Sequence, residues 1–310
     1  MRSPKNRADY MRPATIGELL DRAVTLFVQN AWIFVALSAI VYVPLAIVQL
    51  SMGDIWKLYL DLLSGSVSST ASATLKNEQL LMQRAAPMEL FTVVLMVFVA
   101  PLVISAMAHV VFKKTAGEAV TVGEALRFAL PRWGRVILFA LLWVAALLGA
   151  FFALIIGFSL MSAALAFAVP VVALIVMIFL VVMAAVIAGM LVAIVCGGVG
   201  MMAVIDGSRG VASAFGLGVA LTMNRKMFWR SVLVGLLLFA ISLGFGIITS
   251  MVGFSFLAAL HSGIPMVIIN AAMAMVQFGF LTVFMAFFYN DLRARREGAD
   301  LETLASRLPA

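Results

Sequence analysis

The chain has 310 residues, 65% of them hydrophobic and 11% charged, with a mean hydropathy of +1.15 and a formal charge of +7. Water-soluble domains hold roughly 45–50% apolar and about 25% charged residues, so this composition excludes one, because a chain folded in water needs a polar shell. One cysteine, Cys196, excludes an internal disulfide framework or a cysteine-based zinc cluster and reads as a small buried hydrophobe, while His109 and His261 are too few and too far apart for a metal site.

The charged N-terminus lacks the short apolar core and small-residue cleavage site of a signal peptide, so the first apolar segment is expected to stay as an anchor. It is preceded by "TIGELLDRAVTLFVQNAW" from Thr15. Thr15 and Glu18 have the spacing of a capping box. Ile16, Leu19, Leu20, Ala23, Val24 and Phe27 then follow helical spacing, with Glu18, Asp21, Arg22 and Gln29 opposite. Residues 15–31 are therefore an amphipathic helix, of the kind that lies in the membrane interface plane.

A membrane-crossing helix needs about 20 apolar residues. Six segments qualify, near residues 32–50, 90–112, 136–159, 170–195, 231–257 and 265–289, and none contains Asp, Glu, Lys or Arg. Each such residue at a helix centre costs about 2.5–3.5 kcal/mol. Pro44 and Pro101 are placed to kink the first two spans. An outer loop, 51–89, carries a short amphipathic stretch (Ile55, Leu58, Tyr59 and Leu62) and a Ser/Thr/Ala-rich linker from Ser64 to Thr74.

Before the third span "TVGEALRFALPRWGRV" repeats the first approach, with Thr121 and Glu124 as a second capping box and Val122, Ala125, Leu126, Ala129 and Leu130 as the apolar face. Apolar sequence then runs almost unbroken from Val136 to Ile205. Pro170 marks the start of the fourth span, and Gly197, Gly198 and Gly200 blur its end. Asp206 to Trp229 is a third, weaker copy, capped by Asp206 or Ser208, in which Gly216 and Gly218 lower helix propensity. Pro265 opens the sixth span after the turn residues His261, Ser262 and Gly263. The expected fold is an all-α, polytopic membrane helix bundle, one domain over 1–310, with about six spans and three amphipathic interfacial helices in a pseudo-threefold repeat. These helices either brace the bundle or sense lipid and dock partners.

Lys and Arg gather in cytoplasmic connections. With the N-terminus inside, 18 of the 21 basic residues fall inside, and Lys57, Lys76 and Arg84 fall in the one long outer loop. Both termini, including the tail 290–310, are thus expected in the cytoplasm. The basic balance follows from this topology and from attraction to anionic inner-leaflet lipids. No nucleic-acid module is present.

Small residues let helices approach in lipid. Ala185, Gly189, Ala193 and Gly197, then Ser242, Gly246 and Ser250, then Gly149, Ala153 and Gly157, are expected on interhelical faces or on a homo-oligomer contact. Asn270 and Gln277 form a candidate polar membrane-embedded face, seven residues apart in the sixth span. They either hydrogen-bond a neighbouring helix or line a path. His109 is expected at the interface. No catalytic, cofactor or metal constellation is legible, so the chain reads as non-enzymatic.

The tail "YNDLRARREGADLETLA", Tyr289 to Ala305, resembles the signature closing the glycerophosphoryl diester phosphodiesterase membrane-domain family, carried by Tyr289, Asp291, Arg293, Arg295, Glu297, Gly298 and Asp300 with Leu292, Leu301, Glu302 and Leu304. "IGELLDRA", Ile16 to Ala23, and "LTMNRKMFWR", Leu221 to Arg230, look like other parts of that pattern. The chain departs from it at Leu217 and Gly218, where the family has a basic residue followed by Ser. Asp291 and Arg295 are spaced as an i,i+4 pair. Gly298 is expected to end the sixth helix, and Asp300 to start a short new one. The resemblance implies the membrane part alone, without the phosphodiesterase domain. The expected role is a bacterial inner-membrane scaffold or accessory protein, working with a membrane-protein partner or a second copy. The alternative is a carrier for a small or amphiphilic solute.

Overall fold

The structure is a computed structural model and describes residues 14–51, 86–165, 189, 191, 193–207, 210–225, 227–260 and 262–305. No strand occurs among them, and the chain is an all-α bundle. Five helices are long and apolar enough to cross a membrane. Most of the expected fourth span, and the outer-loop helix and linker, lie outside the described residues.

In chain order the helices are α1 (Ile16–Gln29), α2 (Ala31–Ser51), α3 (Ala86–Thr115), α4 (Val122–Ala129), α5 (Trp133–Leu165), α6 (Ala193–Asp206), α7 (Val211–Thr222), α8 (Phe228–Leu260) and α9 (Ile264–Ala305). The first capping box forms in full: the Thr15 hydroxyl accepts the Glu18 amide, and the Glu18 carboxylate accepts the Thr15 amide at 2.7 Å. The second is half formed, with Thr121 accepting the Glu124 amide at 3.3 Å. The third start differs from expectation. Gly210 is its N-cap, and Asp206 closes α6 instead, because an arginine of α9 claims its carboxylate.

Pro44 sits inside the continuous α2. Pro101 follows a wide π turn, Leu95–Val99, in which one extra residue per turn accommodates the missing N–H. The Phe98 carbonyl in that turn accepts the Trp133 indole N–H at 2.6 Å. Gly197, Gly198 and Gly200 do not end the fourth span. They lie inside α6, where a Cβ would collide with Trp143, Met285 and Phe139 respectively.

The arrangement follows one rule three times. At the end of the bundle that carries the basic connections α3 and α6 both meet α9, and α6 runs parallel to α9 and in register with it. Phe112 lies 6.4 Å from Tyr289 between ring centroids. Gly198 stands against Met285, and Asp206 meets Arg293 eight residues further along both helices. Each of these central helices carries one short helix doubled back along it, amphipathic in α1 and α4 and, unlike the expectation, apolar throughout in α7. On α3, the α4 side chain Phe128 stacks on His109 at 3.7 Å. On α6, a Cβ added to Gly218 of α7 would lie 2.6 Å from the Cys196 carbonyl. On α9, α1 touches Asp291 through Ala14 and Phe280 through Phe27.

The third pairing fixes a direction. The thirteen steps of chain from Ala14 to Phe27 span about 20 Å and the eleven from Phe280 to Asp291 about 17 Å, so α1 and α9 lie side by side and antiparallel. The faces of these short helices that the sequence marks as apolar are packed on the bundle itself. The apolar stripe of α1 (Leu19, Ala23, Leu26 and Phe27) is buried against protein. So are Ala125 and Ala129 of α4, and Ala214, Gly218 and Leu221 of α7.

The joints differ. α3 leads into α4 through Gly117 (φ 83°) and α6 leads towards α7 through Gly207 (φ 76°), left-handed positions that glycine occupies without a Cβ clash. α9 and α1 have no such turn between them, and they are joined by side chains of α9 bonding to the Ala14 backbone.

A further expectation is corrected. α9 continues to Ala305 without a break at Gly298, and Asp300 starts no new helix. The surrounding Glu297, Ala299, Leu301 and Glu302 are good helix formers that offset the roughly 1 kcal/mol cost of one glycine. Of the small-residue stripes, Gly197 packs on α5 as expected of an interhelical face, whereas Gly149, Ala153, Gly157, Gly189, Gly246 and Ser250 are exposed and Ala185 lies outside the described residues. For the exposed ones, only the homo-oligomer alternative is left.

Candidate functional site

The basic end of α9 is enclosed on all sides. Phe280, Val283 to Tyr289, Asp291 and Leu292 are all buried. Asp291 is the first ionisable residue of α9 after 27 uncharged ones. Its side chain is 1% exposed, and a buried carboxylate persists only with partners.

It has three, from three parts of the chain. Arg230, in the first turn of α8, places Nη2 2.9 Å from Oδ2. Arg295, one turn along α9, places Nε 3.0 Å from the same oxygen. The backbone N–H of Ala14 donates to Oδ1 at 2.8 Å across 277 residues of sequence. Both guanidinium groups also donate to the Ala14 carbonyl through Nη2, Arg295 at 2.8 Å. Asp291 therefore fastens the entry to α1, the start of α8 and the end of α9 in one clasp.

Beside it, Arg293 Nη1 lies 2.7 Å from Asp206 Oδ2, and the Tyr289 hydroxyl donates to that oxygen at 3.4 Å. This second pair ties α9 to the end of α6. Its members are 45% and 28% exposed, so water screens it far more than the clasp. A third cluster joins α3 to α4: the Arg132 guanidinium sits 3.8 Å from the Phe128 ring centroid, and that ring stacks on His109. His109 is thus buried under α4 rather than left at an open interface.

The sequence-marked residues divide accordingly. Asp291 and Arg295 meet as an i,i+4 pair, and Tyr289 and Arg293 converge on Asp206. Glu297, Gly298 and Asp300 lie in the last turns of α9, and their side chains are outside the described residues. Asn270 and Gln277 are half-buried. Asn270 faces Gly253 of α8, where an added Cβ would come within 3.7 Å of its Oδ1. The sequence marks Asp206 only as a candidate helix cap and Arg230 only as the last residue of a family-like stretch, so it places neither in an ion pair. Ala14 carries no sequence signal, because its backbone does the bonding.

Most of the buried hydroxyl groups within the described helices bond to helix carbonyls, while that of Ser231 in α8 is buried without a partner. Ser38 donates to the Phe34 and Met275 carbonyls, Ser105 to Pro101, Thr222 to Gly218 and Thr282 to Phe278. The Cys196 thiol is buried beside the Thr222 hydroxyl, as a small core residue. No protein-family model, curated protein or solved structure matches the chain.

Proposed function

We propose that this is a multi-pass protein of a bacterial cytoplasmic membrane, with both termini in the cytoplasm, that serves as a non-enzymatic scaffold or accessory protein. The observation that carries this reading is the use made of charge and polarity. Among the described residues the one deeply buried carboxylate clamps three chain segments together. Most of the serine and threonine hydroxyls described above bond to helix carbonyls, which suits a rigid platform. We also propose membership of the glycerophosphoryl diester phosphodiesterase membrane-domain family, membrane part only. Its support is that the three stretches carrying the resemblance meet at one point. Ala14 lies just before Ile16–Ala23, Arg230 closes Leu221–Arg230, and Asp291 and Arg295 belong to the tail.

Crosslinking in intact cells followed by affinity purification tests the scaffold reading. A reproducible membrane-protein partner is expected, and repeated recovery of the chain alone would refute it. A carrier for a small or amphiphilic solute is the second reading, favoured by Asn270 and Gln277 on one half-buried face of α9. Thiols introduced at both positions would then react with aqueous reagents. Protection from both sides of the membrane removes that reading.

A further inference from the structure

The clasp carries one more positive charge than negative. Two guanidinium groups share the single carboxylate of Asp291, while the neighbouring Arg293 is paired with Asp206. The donors are also in excess. A guanidinium offers five N–H bonds. Arg230 uses only Nη2, and its buried Nε has no acceptor. Arg295 uses Nε and Nη2, leaving Nη1. Both side chains reach the surface, at 17% and 27% exposure, whereas that of Asp291 does not. Two cationic forks with unused edges suit a tetrahedral oxyanion.

What lies beside the forks selects the source of that oxyanion. Trp229, adjacent to Arg230, is 71% exposed, and an exposed tryptophan at the end of an apolar helix marks the headgroup level of a bilayer. Leu233 and Leu236 follow it at i+4 and i+7, exposed by 54% and 45%, so an apolar track on α8 leads from the forks along the helix. Polar head and apolar tail positions are thus contiguous. We propose that Arg230 and Arg295 hold the phosphate of an anionic phospholipid, with its acyl chain along Trp229, Leu233 and Leu236. This deepens the membrane reading above and is independent of whether the protein acts as a scaffold or a carrier.

The test is native mass spectrometry of the full chain released from nanodiscs of equal parts phosphatidylglycerol and phosphatidylcholine. The wild-type chain is expected to retain phosphatidylglycerol preferentially. Arg295→Gln, which leaves the Arg230–Asp291 pair in place, should lower that preference about fivefold, the factor one cation near a lipid surface is worth. Arg296→Gln, an exposed arginine one residue on, should leave it unchanged. Equal retention of both lipids by the wild-type chain, a measurement needing no variant, overturns the proposal. So does an equal loss in both variants, which would mean general surface charge. Thermal stabilisation by inorganic phosphate equal to that by phosphatidylglycerol would assign the site to a soluble anion instead.

Discussion

Replacing Asp291 by asparagine keeps the shape of the side chain and removes its charge. Arg230 and Arg295 then face each other and one carbonyl without a counter-charge, at side-chain exposures of 17% and 27%. Breaking a buried ion pair from one side costs about 3–5 kcal/mol. The competing term is the apolar face of α1. Leu19, Leu26 and Phe27 are buried, and in water each would hold the helix with about 1.5–3 kcal/mol. Lipid tails are as apolar as leucine, however, so on membrane-embedded turns that contribution largely vanishes. The clasp therefore decides whether α1 stays on α9. In a Cys196→Ala background, a thiol introduced at Ala23, which is fully buried in the folded chain, reports the docking. Asp291→Asn should lower the melting temperature in detergent and speed maleimide labelling at position 23. Adding Arg295→Gln to Asp291→Asn should recover part of the loss by removing one unpaired cation. An unchanged melting temperature with position 23 still protected would show that Asp291 does not hold α1 on α9.

Three further outcomes follow from the same geometry. Gly218→Ala should destabilise the chain by about 1–3 kcal/mol, since the new Cβ meets backbone 2.6 Å away, whereas Gly216→Ala, with open space around it, should be neutral or gain up to about 1 kcal/mol. Detergent melts of the two variants separate these. Arg293→Gln, which breaks the half-exposed pair with Asp206, should cost less than about 1 kcal/mol by the same assay. Trp133→Phe removes the indole bond to the Phe98 carbonyl and should cost about 1 kcal/mol.

The spans were legible because a run of about 20 uncharged apolar residues has one low-energy state in a bilayer. Five of the six expected appear among the described residues as long apolar helices. The threefold pattern was legible in the Thr15–Glu18 and Thr121–Glu124 spacings. What those helices pack against was not. An amphipathic pattern says which face of α1 is buried, but not that its partner is α9, 277 residues away. The Asp291–Arg295 pair could be read from i,i+4 spacing, whereas Arg230 could not, because nothing local links α8 to the tail. Gly298 was misread as a helix end because a glycine that is a good cap is also tolerated within a helix of strong formers. Gly218 was read as a weak point in its helix, and it is instead where α7 comes closest to α6.

In the proposed topology the amphipathic segments and basic connections share one face of the membrane. Single thiols at Glu18, Glu118, Arg225 and Ser262, each in a Cys196→Ala background, test it with an impermeant reagent added to spheroplasts. Ser262, in the turn between α8 and α9, should label at once. The other three should label only after the membrane is opened. Labelling of Glu118 or Arg225 on intact spheroplasts, or equal protection of all four, would contradict the account.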